Sequence, residues 1–80
     1  MPRFFFDYRN SDGQLERDGE GIEFPSLDAA YDDALKAAVD MHADSRRDGT
    51  DVTAHSFEIR DGSGRVLIVL PFAEALSRKS

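Results

Sequence analysis

The sequence predicts a small α+β domain in the order strand, strand, helix, strand, strand, with one main helix on an antiparallel-rich sheet. Three observations carry that expectation. The chain opens on an aromatic run of period two, a 21-residue stretch in its middle has a helical apolar period, and a turn signal near residue 62 joins two apolar runs.

Phe4, Phe6 and Tyr8 alternate with Arg3, Phe5, Asp7 and Arg9, so the first strand has one wholly aromatic face. Turn clusters follow at Asn10–Gly13 and Asp18–Gly21. Between and after them, a short extension around Leu15 and a second strand over residues 21–24, with Ile22 and Phe24 alternating about Glu23, pair back onto the first.

Pro25 ends that strand, and Ser26 is an N-cap whose hydroxyl can accept an early helical N–H. Over residues 27–47, Leu27, Ala30, Tyr31, Ala34, Ala38 and Met41 share one helical face, opposite Asp28, Asp32, Asp33, Lys36 and Asp40. The centre of the apolar strip is alanine, which lets a helix lie close against a sheet. Arg46 and Arg47 suit its C-terminal dipole, and Gly49 can supply the left-handed residue that stops it.

Asp61-Gly62-Ser63-Gly64 is a hairpin turn that pairs Arg60 with Arg65. The register that follows sets Ile59 opposite Val66 and Phe57 opposite Ile68 on the core face, with Glu58 opposite Leu67 and Ser56 opposite Val69 outside. Because Val66–Leu70 is apolar on both faces and Phe4–Phe6 nearly so, the first and fourth strands are expected side by side in the middle of the sheet. Pro71 ends the fourth strand. Residues 72–77 can form a short terminal helix, so a single domain over 1–77 precedes a polar tail at 78–80.

The chain is 80 residues with a formal charge of −6, and the excess is asymmetric: residues 1–40 hold ten acids and four bases, residues 41–80 six of each. That acidity falls on the loop between the first two strands and on the outer helix face. An acidic chain without a basic tract is not built for nucleic acid or for an anionic membrane surface. Forty percent apolar residues and six Phe are enough for a small core. There is no cysteine, which fits a reducing cytoplasm and removes disulfides and thiolate chemistry. Asp7 interrupts any signal-like apolar start, and Val66–Ala73 is at most about half of the roughly 20 residues a membrane helix needs, so a cytoplasmic protein is expected.

An EF-hand loop with Gly13 at its sixth position would run from Tyr8 to Gly19, and one with Gly19 there from Gln14 to Pro25; neither has the first ligand or the closing Glu. His42 and His55 have no companion at metal-ligand spacing. Gly62-Ser63-Gly64 lacks the G-K-[ST] ending and the helix of a phosphate loop, and no serine stands in a G-x-S-x-G elbow. No catalytic, cofactor or metal residue is therefore assigned, and no cofactor is expected.

One feature has interaction content. With the helix on the face of Phe4, Phe6, Tyr8, Ile22, Phe24, Phe57, Ile59, Val66, Ile68 and Leu70, the residues Phe5, Leu67 and Val69 point away from it and form a candidate interface for a protein partner or a homodimer. The competing reading folds the C-terminal segment, through Phe72 and Leu76, over that patch within the monomer.

The opening M-P-R-F-F-F-D, the E-G-I-E-F-P-S-L-D-A-A lead into the alanine-rich helix and the late F-E-I-R-D-G-S-G-R-V-L with L-P-F together resemble a family of very short, uncharacterised bacterial proteins that open M-P-R-[FY]-[FY]-F. Ser26 stands where that pattern has Asp before Leu27. The resemblance spans nearly all of the chain and implies no reaction, cofactor or site. A weaker resemblance, carried by Leu27, Ala30 and Ala34 after a Pro-terminated strand, is to antitoxins of a partial ribonuclease-like fold; it implies sequestration of a basic toxin or nuclease, although no DNA-binding segment is attached here.

The function expected from the sequence is a non-enzymatic interaction module, self-associating or binding a protein through the sheet's outer face. The alternatives are an antitoxin-like module and, from a different class, a small enzyme using carboxylates with His42 or His55.

Overall fold

A computed structural model describes residues 1–79, and Ser80, at the end of the expected polar tail, lies outside them. Among the described residues the chain forms β1 (Arg3–Arg9), β2 (Leu15–Glu16), β3 (Ile22–Glu23), α1 (Leu27–Asp48), β4 (Ser56–Arg60), β5 (Val66–Pro71) and α2 (Phe72–Lys79). The fold is α+β, with an antiparallel sheet, one main helix and a short C-terminal helix.

Capping sets the bounds of α1. The Ser26 hydroxyl accepts the Ala29 N–H at 3.2 Å, and Gly49, at φ 77°, takes the left-handed stop that costs glycine no Cβ clash. Ala30, Ala34 and Ala38 are fully buried against the sheet, so the small side chains set a close approach. The helix α2 lies on the same side, because Phe72 is fully buried among Tyr8, His55 and Phe57 while Ala75 joins the same core. The C-terminal segment therefore covers the helix side of the sheet, not the outer face. It also runs helically through Arg78 and Lys79, beyond the expected end at residue 77.

The strand order is β2-β1-β4-β5, with β3 also on β1. This corrects the expected pairing of the first and fourth strands: β1 lies against β4, Phe6 facing Ile59 and Tyr8 facing Phe57, and β5 is an edge. Apolarity on both faces pointed to a central position, but β5 leaves its outward residues in solvent, Val66 at 46% and Val69 at 52% exposure.

The β4–β5 register is also corrected. Arg60 pairs with Val66 rather than with Arg65, and past it Ile59 pairs with Ile68, Glu58 with Val69, Phe57 with Leu70 and Ser56 with Pro71, because a shift between Ile59 and Arg60 leaves Leu67 as an extra residue. Such a bulge re-aims one side chain. Leu67 consequently packs against the buried core and Val66 drops out of it, while Ile22, on β3, is half-exposed. The core proper is Phe4, Val52, Phe57, Ile59, Leu70, Phe72 and Ala75 with the alanine strip of α1, and Phe6, Tyr8 and Phe24 are among the residues packed on it.

Candidate functional site

Strand alternation and the observed registers place three rows on the face turned away from both helices. They are Phe5–Arg60–Val66, Asp7–Glu58–Val69 and Arg9–Ser56–Pro71. Asp7, Arg9, Glu58 and Arg60 make four of the six β1 and β4 positions charged, beside Phe5 and Ser56, and valines and a proline occupy those of β5.

At the centre of this face Asp7 is 1% exposed although it sits outside the hydrophobic core. Its carboxylate accepts from Arg60 Nε at 2.6 Å, Arg60 Nη2 at 3.1 Å and the Asp18 N–H at 3.0 Å. Burial pushes its pKa up, but the Arg60 and Asp18 hydrogen bonds and the charges of Arg60 and Arg17 outweigh it, and the net shift is downward. The same contacts raise Arg60, led by its hydrogen bond to Asp7. The Arg60 guanidinium also lies 5.1 Å from the centre of the Phe5 ring. A parallel ion pair joins Arg9 Nε to Glu58 at 2.7 Å.

Asp18 comes from the turn between β2 and β3. Its Oδ1 accepts the Glu20 and Gly21 N–H groups at 3.0 and 3.1 Å, and its Oδ2 accepts the Phe6 N–H at 3.1 Å. Burial raises its pKa, but the three backbone donors and Arg60 bring it below the usual value. Among the described residues no buried side-chain polar atom lacks a partner, so the network is closed.

The sequence-predicted interface residues separate in space. Phe5 is half-buried beneath Arg60, Leu67 is half-buried on the core side, and Val69 is exposed in a row whose middle position is Glu58. The exposed apolar surface of the outer face is therefore Val66, Val69 and Pro71. The ion network was missed in the sequence, where its visible trace is a single carboxylate, Asp7, inside an aromatic strand; its partner Arg60 is 53 positions away.

The free edge of β5 is blunted against strand addition. The Phe72 N–H donates to the His55 carbonyl on β4's side at 2.9 Å, and alternation then turns the nitrogen of Pro71, which has no N–H, to the open edge. The bulge at Leu67 interrupts the same edge.

Neither histidine lies in the groove between α1 and α2, a shallow space of about 230 Å³ lined by Asp32, Leu35, Lys36, Val39, Ala75 and Arg78. His55 Nδ1 and the Tyr8 hydroxyl share a hydrogen bond and the two rings pack edge to face, while burial, with the Glu16 charge, raises the Tyr8 phenol. His42 is half-buried on α1. Among the described residues no group of three or more His, Asp or Glu side chains could hold a metal ion, and no helix is long and apolar enough to cross a membrane.

No curated protein and no solved structure matches the chain significantly. A family model does, over residues 3–73, which takes in every strand and the start of α2. An aromatic first strand, an alanine-faced helix and a terminal hairpin are thus one unit, and the chain belongs to the family described as a domain of unknown function (DUF6894).

Proposed function

We propose that the protein is a small non-enzymatic interaction module that self-associates through the outer face of its sheet. The observation that carries this reading is the exposed strip of Val66, Val69 and Pro71 on the one sheet face that neither helix covers. A second copy is the occupant that the charges favour. Arg60 and Arg9 are neutralised on the face itself by Asp7 and Glu58, so it needs no partner of opposite charge. The acids of α1, Asp28, Asp32, Asp33 and Asp40, are exposed on the far side, where they repel other copies and leave sheet against sheet as the favoured approach. A cysteine-free sequence suits a reducing, cytoplasmic setting.

The non-enzymatic part rests on how the perturbed groups are used. Asp7 and Asp18 are saturated by an arginine and backbone N–H groups, while Asp51 and Asp61 are lowered mainly by hydrogen bonds within their own turns, Thr53 N–H first in one and the Ser63 hydroxyl first in the other. None is left poised to move a proton.

Sedimentation of wild type and Val69→Asp over a concentration series tests the reading. Wild type is expected to associate and V69D to remain a folded monomer, with thermal melts that superpose. Leu67→Asp is the wrong variant for this purpose because Leu67 packs on the core. A wild-type monomer throughout the series overturns the outer-face reading and returns the acidic α1 surface, the antitoxin-like alternative, to first place.

A further inference from the structure

The side of β1 away from β4 is paired at only four residues, Arg3 and Phe4 with β3, Tyr8 and Arg9 with β2. Between them the segment 17–21 takes the place of a strand. Its residues are Arg17, Asp18, Gly19, Glu20 and Gly21, and none is buried. Hydrogen bonds hold it to the sheet. The Phe6 N–H reaches Asp18 Oδ2, the Asp18 N–H reaches Asp7, Arg60 Nη2 reaches the Asp18 carbonyl at 3.3 Å, and Arg3 Nη1 reaches the Glu20 and Gly21 carbonyls at 2.8 and 3.3 Å.

A segment with many hydrogen bonds and no buried apolar side chain of its own opens at lower free energy than the packed sheet around it. Two glycines, one at its middle and one at its far end, leave the backbone free to swing. Beneath it is Phe5: a Cβ on Gly21 would stand 2.9 Å from Phe5 Cε2, so the strap presses directly on that ring.

We propose that residues 17–21 are a detachable strap, latched by the Asp18 carboxylate, whose opening as a unit uncovers Phe5 and the unpaired middle of β1. Phe5 shares a row with Arg60 and Val66, so the open form joins an aromatic ring to the valine strip. The consequence for self-association rests on the outer-face reading above; the opening itself does not.

Native-state hydrogen exchange on the full ¹⁵N-labelled chain tests it. In wild type, the amides of Phe6, Asp18, Glu20 and Gly21 are expected to share one opening equilibrium at least tenfold more populated than that of Phe57 and Ile59 in β4. Asp18→Ala should raise exchange at Phe6 and Glu20 by a further tenfold or more, with Phe57 and Ile59 rising by no more than the loss of global stability and staying at least tenfold better protected. If the four wild-type amides exchange only as often as Phe57 and Ile59, the strap opens with the whole domain and the proposal fails; that measurement does not depend on the variant folding. Sedimentation of D18A separates the two ideas. An open strap with tighter association supports both, whereas an open strap on a monomer keeps the strap and removes the outer-face contact.

Discussion

The two faces of this sheet are closed by different physics. Toward the helices, Phe4, Phe57, Ile59, Leu70 and Phe72 are excluded from water by packing on an alanine strip. On the other face Asp7 is excluded just as fully, but by an arginine, a backbone N–H and a polar strap. Packing is non-directional and tolerates repacking, whereas a buried ion pair depends on each hydrogen bond and on the charge state of its members. The helix side therefore sets whether the domain folds, and the outer side sets what surface the folded domain presents.

The contrast breaks most visibly at Phe72. It is fully buried and joins α2 to β1 and β4 through Tyr8 and Phe57, so Phe72→Ala should remove about 4 kcal/mol. A domain of this size has about 5 kcal/mol in total. Urea unfolding of F72A should show a midpoint close to zero denaturant at 25 °C, with α2 detached. A midpoint within 1 M of wild type would mean that α2 docking contributes little to the fold.

On the outer face Asp7→Ala is expected to cost about 3 kcal/mol, because the half-buried Arg60 loses its counter-charge and the Asp18 N–H its acceptor. Replacing both partners, Asp7→Leu with Arg60→Met, should recover most of that loss, an outcome with no analogue in the aromatic core. The pH dependence divides the faces too. Asp7 and Asp18 have folded pKa values below their ordinary ones, so the stability they contribute is fully present above about pH 4 and is lost as pH falls through the folded values. Urea midpoints at pH 7, 5 and 3 should be level between the first two and fall at the third, with a shallower fall in D7A. A core variant such as Ile59→Val should lower all three midpoints in parallel.

The same contrast explains what was legible in the sequence. Apolar periodicity reports packing, and the helix could be placed to within one residue because Ser26 and Gly49 mark its ends and its buried strip repeats as Ala30, Ala34 and Ala38. Phe57 and Ile59 were placed on the core face for the same reason. Strand order was not legible, since the pairing of β1 with β4 is accompanied by an Asp7–Arg60 contact that no local pattern announces. Leu67 was assigned to the wrong face because a bulge is a backbone event: one extra residue reverses the alternation, and nothing in Val66–Leu70, apolar throughout, marks where it falls. The strap is legible as a turn cluster at Asp18–Gly21, but a local turn signal is silent about what the turn lies upon.

A smaller and more selective break is available at Gly21. Its φ of +71° disfavours any side chain, and an added Cβ would meet Arg3 Cγ at 2.8 Å, Phe5 Cε2 at 2.9 Å and the Phe4 carbonyl oxygen at 3.0 Å. The Arg3 stem can swing aside, but the Phe4 carbonyl belongs to β1 and cannot. Gly13 supplies the control, with φ +83° and open space around the same added atom. Gly13→Ala should cost about 1 kcal/mol for backbone strain alone, and Gly21→Ala about 2 kcal/mol, the difference being contact with the outer face. Because that contact is with Phe5 and β1 rather than with the core, G21A should lift the strap without disturbing α1 or α2. Faster exchange at Phe6 in G21A, with Ile59 still at least tenfold better protected than Phe6, would show that the strap opens without the core. Equal losses in both variants would mean that the strap does not press on Phe5.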